Sequence, residues 1–345
     1  MLTGKQPGQG ARKRAKARQA REDAKRCCVL HSECHELVDS HCHLDRLCHQ
    51  YKLAFSKLSV LQPADADVNL GAVVAVFCDP DSWYLSSKFA EINENVRYVV
   101  GWHPKHTMTT VPSSEDIKLL KWYVSGLYCV GLGEVGLEQC HDACGLAEES
   151  VCDKWNNQKK SLELLLKARG GKPVVLHIRT WCKTDWSIYF HALDICKAIL
   201  LSDTKIQLHS FVAKYDVFQR WKTAFPNVFG FNASLWGQLN RDKAAALVEQ
   251  INIDDVMLET DSPYLFPRLY QADLEQKIVA RHGMLLAPIK DGGLRKINVP
   301  WNAYSVAAVL AEMKKMSLQE VMFRTSRTAR CFFKLPACVL CGYCA

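Results

Sequence analysis

This chain of 345 residues contains no apolar run approaching the ~20 residues that cross a bilayer as a helix. Residues 1–25 also lack the apolar stretch of a secretory signal. These absences predict a soluble intracellular protein, nuclear or cytoplasmic, with no membrane partner. Acids are scarce at the start: residues 1–26 hold nine Lys or Arg and two acids, a net of +7, whereas the rest carries 35 basic and 34 acidic residues. The formal charge of +8 therefore belongs to a basic arm on a nearly neutral body. Such an arm can coil against a polyanion or act in nuclear import, and it can equally be a solvated terminus. No internal repeat is present, and no low-complexity segment occurs apart from the arm.

Cysteine is abundant, at sixteen residues. Without a secretory signal these read as free thiols in a reducing compartment rather than a disulfide framework. Two groups stand apart, Cys27, Cys28, His31, Cys34 and His35 near the start, and Cys338, Cys341 and Cys344 at the end. Thiolate and imidazole at short spacing suit structural zinc, but neither group has the spacing of a familiar zinc finger.

From residue 37 onward, β-rich runs alternate with helix-like segments. Strands are predicted over 37–44, 71–79, 96–104, 129–138, 173–179, 205–211, 228–235 and 256–261. Their continuous Val, Ile, Leu and aromatic content suits strands buried on both faces. Helices are predicted over 82–93, 113–125, 155–170, 185–201, 214–225, 241–251, 302–315 and 318–330. Eight such pairs give a parallel (β/α)8 TIM barrel, and the glycine-rich phosphate turn of an open doubly wound sheet is missing. Residues 1–36 then form a basic extension, 37–333 the barrel, and 334–345 a cysteine-rich tail. Residues 139–153 read as an insertion after the fourth strand, and 263–296 as a long loop shaping the substrate side.

Several predicted strands end in chemistry. The first carries Asp39, His41 and His43, which strict alternation places on one face. Glu134 lies among glycines at the end of the fourth strand, and His177 with Arg179 at the end of the fifth. His209 ends the sixth, and Glu259 with Asp261 share a face at the end of the eighth. The C-terminal rim is where a barrel of this type does chemistry. Imidazole and carboxylate suit zinc, manganese, cobalt, iron or magnesium. Six ligand-type side chains exceed the need of one tetrahedral ion and match two ions bridged by a carboxylate.

The blocks Asp39-Ser-His-Cys-His-Leu-Asp45, Gly101-Trp-His-Pro104, Gly133-Glu-Val-Gly-Leu137, His177-Ile-Arg179, His209-Ser-Phe211 and Glu259-Thr-Asp-Ser-Pro263 occur in the order found in the TatD-related DNases, which the chain resembles over roughly 37–333. Trp155 and Gln158, and Asn298-Val-Pro300, also fit that pattern. The resemblance implies a metal-dependent nuclease of DNA or RNA, a 3′–5′ exonuclease on single-stranded ends, with two divalent ions (Mg, Mn or Zn); the sequence does not set the oligomeric state, and a monomer is the expectation. It implies that His41, His43 and Asp261 hold one ion, that Glu134 bridges, and that His177 and His209 hold the second. Asp261 would also orient or deprotonate the attacking water, and His103 and Arg179 would contact phosphate. Trp102, Trp181 and Tyr264, beside the motifs, are candidates for stacking on bases.

Two departures from the family pattern stand out. Glu138 replaces the usual Asp, reaching one methylene further, and Thr328 replaces the usual Asn. An amidohydrolase or phosphotriesterase relative would share the barrel, since common metal chemistry does not fix the substrate. Glu134, where many of those enzymes carry a modified Lys bridge, favours the nuclease branch. A non-catalytic nucleic-acid-binding shell would be expected to have lost ligands.

Overall fold

The computed structural model describes residues 36–337, apart from 55, 57, 65, 140–147, 181–184, 240, 269–275, 277–285 and 289–293. Eight parallel strands follow one another in sequence order: β1 (Glu36–Cys42), β2 (Asn69–Phe77), β3 (Val96–Val100), β4 (Cys129–Glu138), β5 (Val174–Arg179), β6 (Ile206–His209), β7 (Asn227–Phe231) and β8 (Val256–Leu258). The segment just beyond β8 completes the ring. Asp261 N donates to His41 O at 2.9 Å and His43 N to Ser262 O at 2.7 Å. The (β/α)8 barrel expected from the alternation is the observed fold. No helix among the described residues is long and apolar enough to cross a membrane.

The helices are α1 (Leu44–Tyr51), α2 (Ser86–Ile92), α3 (Pro104–Thr107), α4 (Ser114–Val124), α5 (Glu148–Leu166), α6 (Ser187–Ile199), α7 (Tyr215–Ala224), α8 (Ser234–Gln238), α9 (Arg241–Gln250), α10 (Ala303–Lys314) and α11 (Leu318–Phe333). Helix α4 starts at a capping box, in which Ser113 and Asp116 satisfy each other's backbone N–H. The side chain of Ser317 accepts from Glu320 N and starts α11 in the same way. Helix α5 begins at Glu148 rather than at 155, so the latter part of the expected insertion is helix. Residues 80–85 form a 3-10 turn, which delays α2 to Ser86.

Alternation along the strands divides the core into two layers. Leu37, Val73, Phe77, Val100, Leu176, Leu208 and Phe229 face the helices. Val38, Val74, Val99, Val175, Val228 and Met257 belong to a separate cluster with Phe332, Phe333 and Leu335. These small side chains fill the barrel, and the end of α11 plugs its N-terminal opening. A buried ion pair fixes the plug, with Arg330 Nη2 donating to Glu36 Oε2 at 2.7 Å.

Most predicted strands extend too far at their C-terminal ends, and the cause is the rim itself. Leu44 and Ser234 already lie in helices. Ser210 and Asp261 adopt φ of 50° and 54°, a left-handed conformation that no strand accommodates. Each chain leaves the ladder to turn a side chain over the barrel mouth. Outside the barrel, Leu286–Pro288 (β9) pairs antiparallel with Leu294–Lys296 (β10). The long loop thus carries a small ladder. Residues 1–35, with the basic run and the Cys27–His35 group, and the cysteines at 338, 341 and 344 lie outside the described residues.

Candidate active site

Strict alternation fails in β1, where the pairing with β2 shifts register between Asp39 and Cys42. Asp39 consequently does not join the histidines. It accepts from Thr260 N at 3.0 Å and Thr260 Oγ1 at 2.5 Å, and so locks β1 to the segment after β8. His41 and His43 both turn into the mouth. His43 Nδ1 lies 3.2 Å from Val76 O, a carbonyl that fixes the tautomer, and its Nε2 lies 3.2 Å from Asp261 Oδ1. His41 Nε2 stands 3.6 Å from Glu134 Oε2 and 3.9 Å from Asp261 Oδ1. Neither ring nitrogen of His41 has a hydrogen-bond partner, although the residue is fully buried.

Glu134 lies at the centre. Its carboxylate meets His177 Nδ1 in a short contact and stands 3.6 Å from His209 Nε2 and 3.9 Å from His103 Nε2. Gly136 lets β4 close on β5, because a Cβ there would overlap the carbonyl oxygen of His177. Gln158 on α5 clamps the end of β4, accepting from Glu138 N at 2.7 Å and donating to Glu138 O at 2.9 Å. Glu138 is buried between two site residues, its Oε2 3.8 Å from His177 Nε2 and its Oε1 3.4 Å from Arg179 Nη1. The extra methylene relative to Asp thus carries the carboxylate to the Arg179 guanidinium. His103 caps α3, its Nδ1 accepting from Lys105 N at 3.0 Å, which leaves Nε2 to face Glu134.

His209 is aimed by Glu259, whose Oε2 lies 2.9 Å from His209 Nδ1. Glu259 also accepts from Ser210 N, Gln207 Nε2 and Asn232 Nδ2. Glu259 therefore orients His209 from behind. Gly230 makes room for it, since a Cβ at that position would collide with the Glu259 carboxylate. Sequence reasoning missed Gln207 and Asn232. Gln207 could have been found two residues before His209 on the same face of β6, and Asn232 as the first polar residue after β7. It also missed Arg46, Lys105 and His106, which line the mouth with Tyr264 and Leu265. Of the stacking candidates, Trp102 is buried against Trp83, Trp181 lies outside the described residues, and Tyr264 is exposed at the mouth.

The cluster has the charge state of a cation site. Burial pushes the Glu134 carboxyl up, but His177 and His209 outweigh it and hold it well below the carboxylate range. Asp261 is pulled down to about 2, with the His43 hydrogen bond and His209 overcoming burial. Burial and the nearby His209, whose ring stacks on it at 3.5 Å, lower His41. Burial also opposes protonation of His209, yet Glu259 and Glu134 raise it to about 9. Ligand-type atoms of His41, His209 and Asp261, of His41, His43 and Glu134, and of His103, Glu134 and His177 lie within 4.8 Å of one another in each group. Buried imidazole nitrogens without partners, on His41 and on His177 Nε2, are what a divalent ion would satisfy. The residues present therefore fit such an ion.

A (β/α)8 barrel with imidazoles and carboxylates gathered at its C-terminal rim defines the class of metal-dependent hydrolases. The family model for TatD related DNase matches residues 38–334, and the chain belongs to that family. The human 3′–5′ RNA nuclease TATDN2 is 26% identical over 258 residues, 74% of this chain but 32% of that protein. The chain thus spans about a third of that relative's length. A metal-dependent hydrolase of Buchnera aphidicola is 23% identical over 309 residues, 87% of this chain and 97% of that protein. The crystal structure of a TatD homologue from Escherichia coli superposes with a TM-score of 0.64 at 18% identity, covering 88% and 99% of the two chains.

Proposed function

We propose that this protein is a 3′–5′ exonuclease that hydrolyses phosphodiester bonds at single-stranded ends of DNA or RNA, working inside the cell as a monomer. One observation carries the reading. Four histidines and two carboxylates from around the barrel converge on one buried cluster, and Arg179 stands at its edge. In this reading two divalent ions (Mg, Mn or Zn) would be held by His41, His43, Glu134, His177, His209 and Asp261. Bound divalent ions supply Lewis acidity and a water that ionises near neutral pH.

The chain's own residues do the rest. Asp261, kept ionised by its low pKa, orients or deprotonates the attacking water. Arg179 and His103 bind the phosphate oxygens, the guanidinium as a planar fork and the imidazole through Nε2. Burial and the neighbouring His177 hold His103 well below its ordinary pKa, so its Nε2 is a neutral group poised for hydrogen bonding. The 3′–5′ polarity follows the human relative, and the basic arm of residues 1–36 adds phosphate contacts outside the barrel.

The test is degradation of a 3′-labelled single-stranded oligonucleotide in magnesium, manganese or EDTA, by wild type and Glu134→Ala. Metal-dependent shortening lost in the variant is expected. Shortening indifferent to the substitution would remove the cluster from the reaction. No cleavage in any metal would move the substrate to another ester or amide.

A further inference from the structure

One cation at the mouth is not used by the ligand cluster. Arg46 lies on α1, three residues after His43. Its Nη2 donates to Cys78 Sγ at 3.4 Å and its Nη1 to Tyr264 Oη at 3.4 Å. Its guanidinium lies 5.8 Å from the centre of the Tyr264 ring, which in turn stands edge-on to His43 at 5.8 Å. Arg46 is only partly exposed, and no carboxylate among the described residues forms an ion pair with it. A thiol and a phenol at these distances are weak acceptors, so most of its five N–H donors keep their capacity.

Arg179 offers a contrast. It ends β5, beside His177, and already faces the Glu138 carboxylate at 3.4 Å. In an eight-stranded barrel β1 and β5 are on opposite sides of the axis. The two guanidinium groups therefore enter one pocket of about 340 Å³ from opposite walls, with the histidine–carboxylate cluster between them. A phosphate held at the cluster by Arg179 and His103 has one cradle. A cation on the far wall reaches a different phosphate of the same chain.

We infer that Arg46, backed by Tyr264, is a second phosphate subsite that binds the phosphate flanking the scissile one. This rests on the phosphodiesterase reading above and narrows it. The site takes substrates with at least two linked phosphates across its mouth, and simple phosphodiesters occupy only half of it. A partly buried guanidinium with no carboxylate partner among the described residues is the physical reason, because such a group gains from an anion that can bond to it bidentately.

The test walks a charge deletion along the substrate. Single-stranded oligonucleotides, each with one neutral methylphosphonate beside the terminal bond, are given to wild type, Arg46→Ala and Arg46→Lys. In wild type one flanking position is expected to raise KM about ten- to a hundredfold, the range of a charge-assisted hydrogen bond. Arg46→Ala raises KM similarly on the all-phosphate substrate, and the methylphosphonate then adds nothing further. Arg46→Lys recovers part of the loss. Losses that multiply at every position would overturn the subsite. Equilibrium binding of the same oligonucleotides to Glu134→Gln separates the two readings. Arg46-dependent, position-specific binding without cleavage by wild type would keep the subsite and overturn hydrolysis. Binding indifferent to Arg46 would overturn the subsite alone.

Discussion

The two ends of the barrel each carry a groove, and the larger one is at the wrong end for chemistry. At the N-terminal end, a groove of about 660 Å³ is lined by Arg97, Arg169, Lys172, Lys205 and Lys334, with Asp203 as its carboxylate. The C-terminal pocket is about half that volume. Cations in the larger groove bind the backbone. Lys172 donates to Gly126 O and Cys129 O, Arg169 to Lys172 O, and Lys205 to Cys331 O. They close the carbonyl-rich turns where helices end. At the C-terminal mouth, side chains bind side chains, and buried imidazole nitrogens are left without partners. Volume and positive charge do not mark a reactive site; convergent titratable groups with unmet bonding do.

The comparison is sharpest if each end is broken separately. Glu134→Gln should lower kcat/KM about a thousandfold or more, since several kcal/mol of transition-state stabilisation depend on the cluster. Without an ion its thermal melting temperature should fall, because the substitution removes the carboxylate that His177 and His209 hold ionised. At the other end, Arg330→Met strands Glu36 as a buried unpaired carboxylate. A stability loss of about 3–5 kcal/mol is expected in denaturant titration, with kcat/KM unchanged at temperatures where the protein stays folded. A folded Arg330→Met protein with impaired turnover would mean that the plug and the mouth are coupled.

Glu259 tests how the pocket is held. Glu259→Gln should weaken divalent ion binding about 10–100-fold, as loss of an orienting partner behind a histidine ligand does. The same titration reports pH. His43 and His209 both have raised pKa values, and His209, at about 9, carries a proton at neutral pH without an ion, so both rings hold protons more tightly than a free imidazole. An ion must displace them. Affinity should therefore rise with pH through neutrality and level off only above pH 9, once His209 has lost its proton. Calorimetry in buffers of different ionisation enthalpy should show protons released on binding. Proton-neutral binding would remove the two histidines from the ligand set.

Much of this was legible beforehand, for identifiable reasons. The eight strands announce themselves because both of their faces are buried, and His177 is readable because it follows Val175 on the inward face of β5. Asp39 was misjudged because a register shift inside β1 breaks the alternation that its placement assumed. Asp261 and Ser210 lie beyond their strands, in left-handed conformations that no hydrophobic pattern encodes. Trp102 looks available beside His103, but it packs edge-on to Trp83 in the core. Arg46 stayed invisible because a single cation in the first turn of an amphipathic helix looks like any solvated side chain. Only closure of the barrel between β8 and β1 brings it to Tyr264.

The smallest expected effect decides whether the N-terminal groove is merely structural. Lys205 bonds the Cys331 carbonyl in the last turn of α11 at 3.0 Å and lies 5.9 Å from the Phe332 ring centre. Lys205→Gln forfeits a cation at a helix C-terminus, about 0.3–1 kcal/mol of stability, and should leave oligonucleotide turnover and its salt dependence unaltered. Lys105→Gln, at the C-terminal mouth, is the control. If Lys105 contacts a phosphate, its loss should flatten the slope of log KM against log salt by about 0.7 for a single strand. Equal flattening by both variants would show that substrate also lies along the N-terminal groove, and the contrast between the two ends would fail.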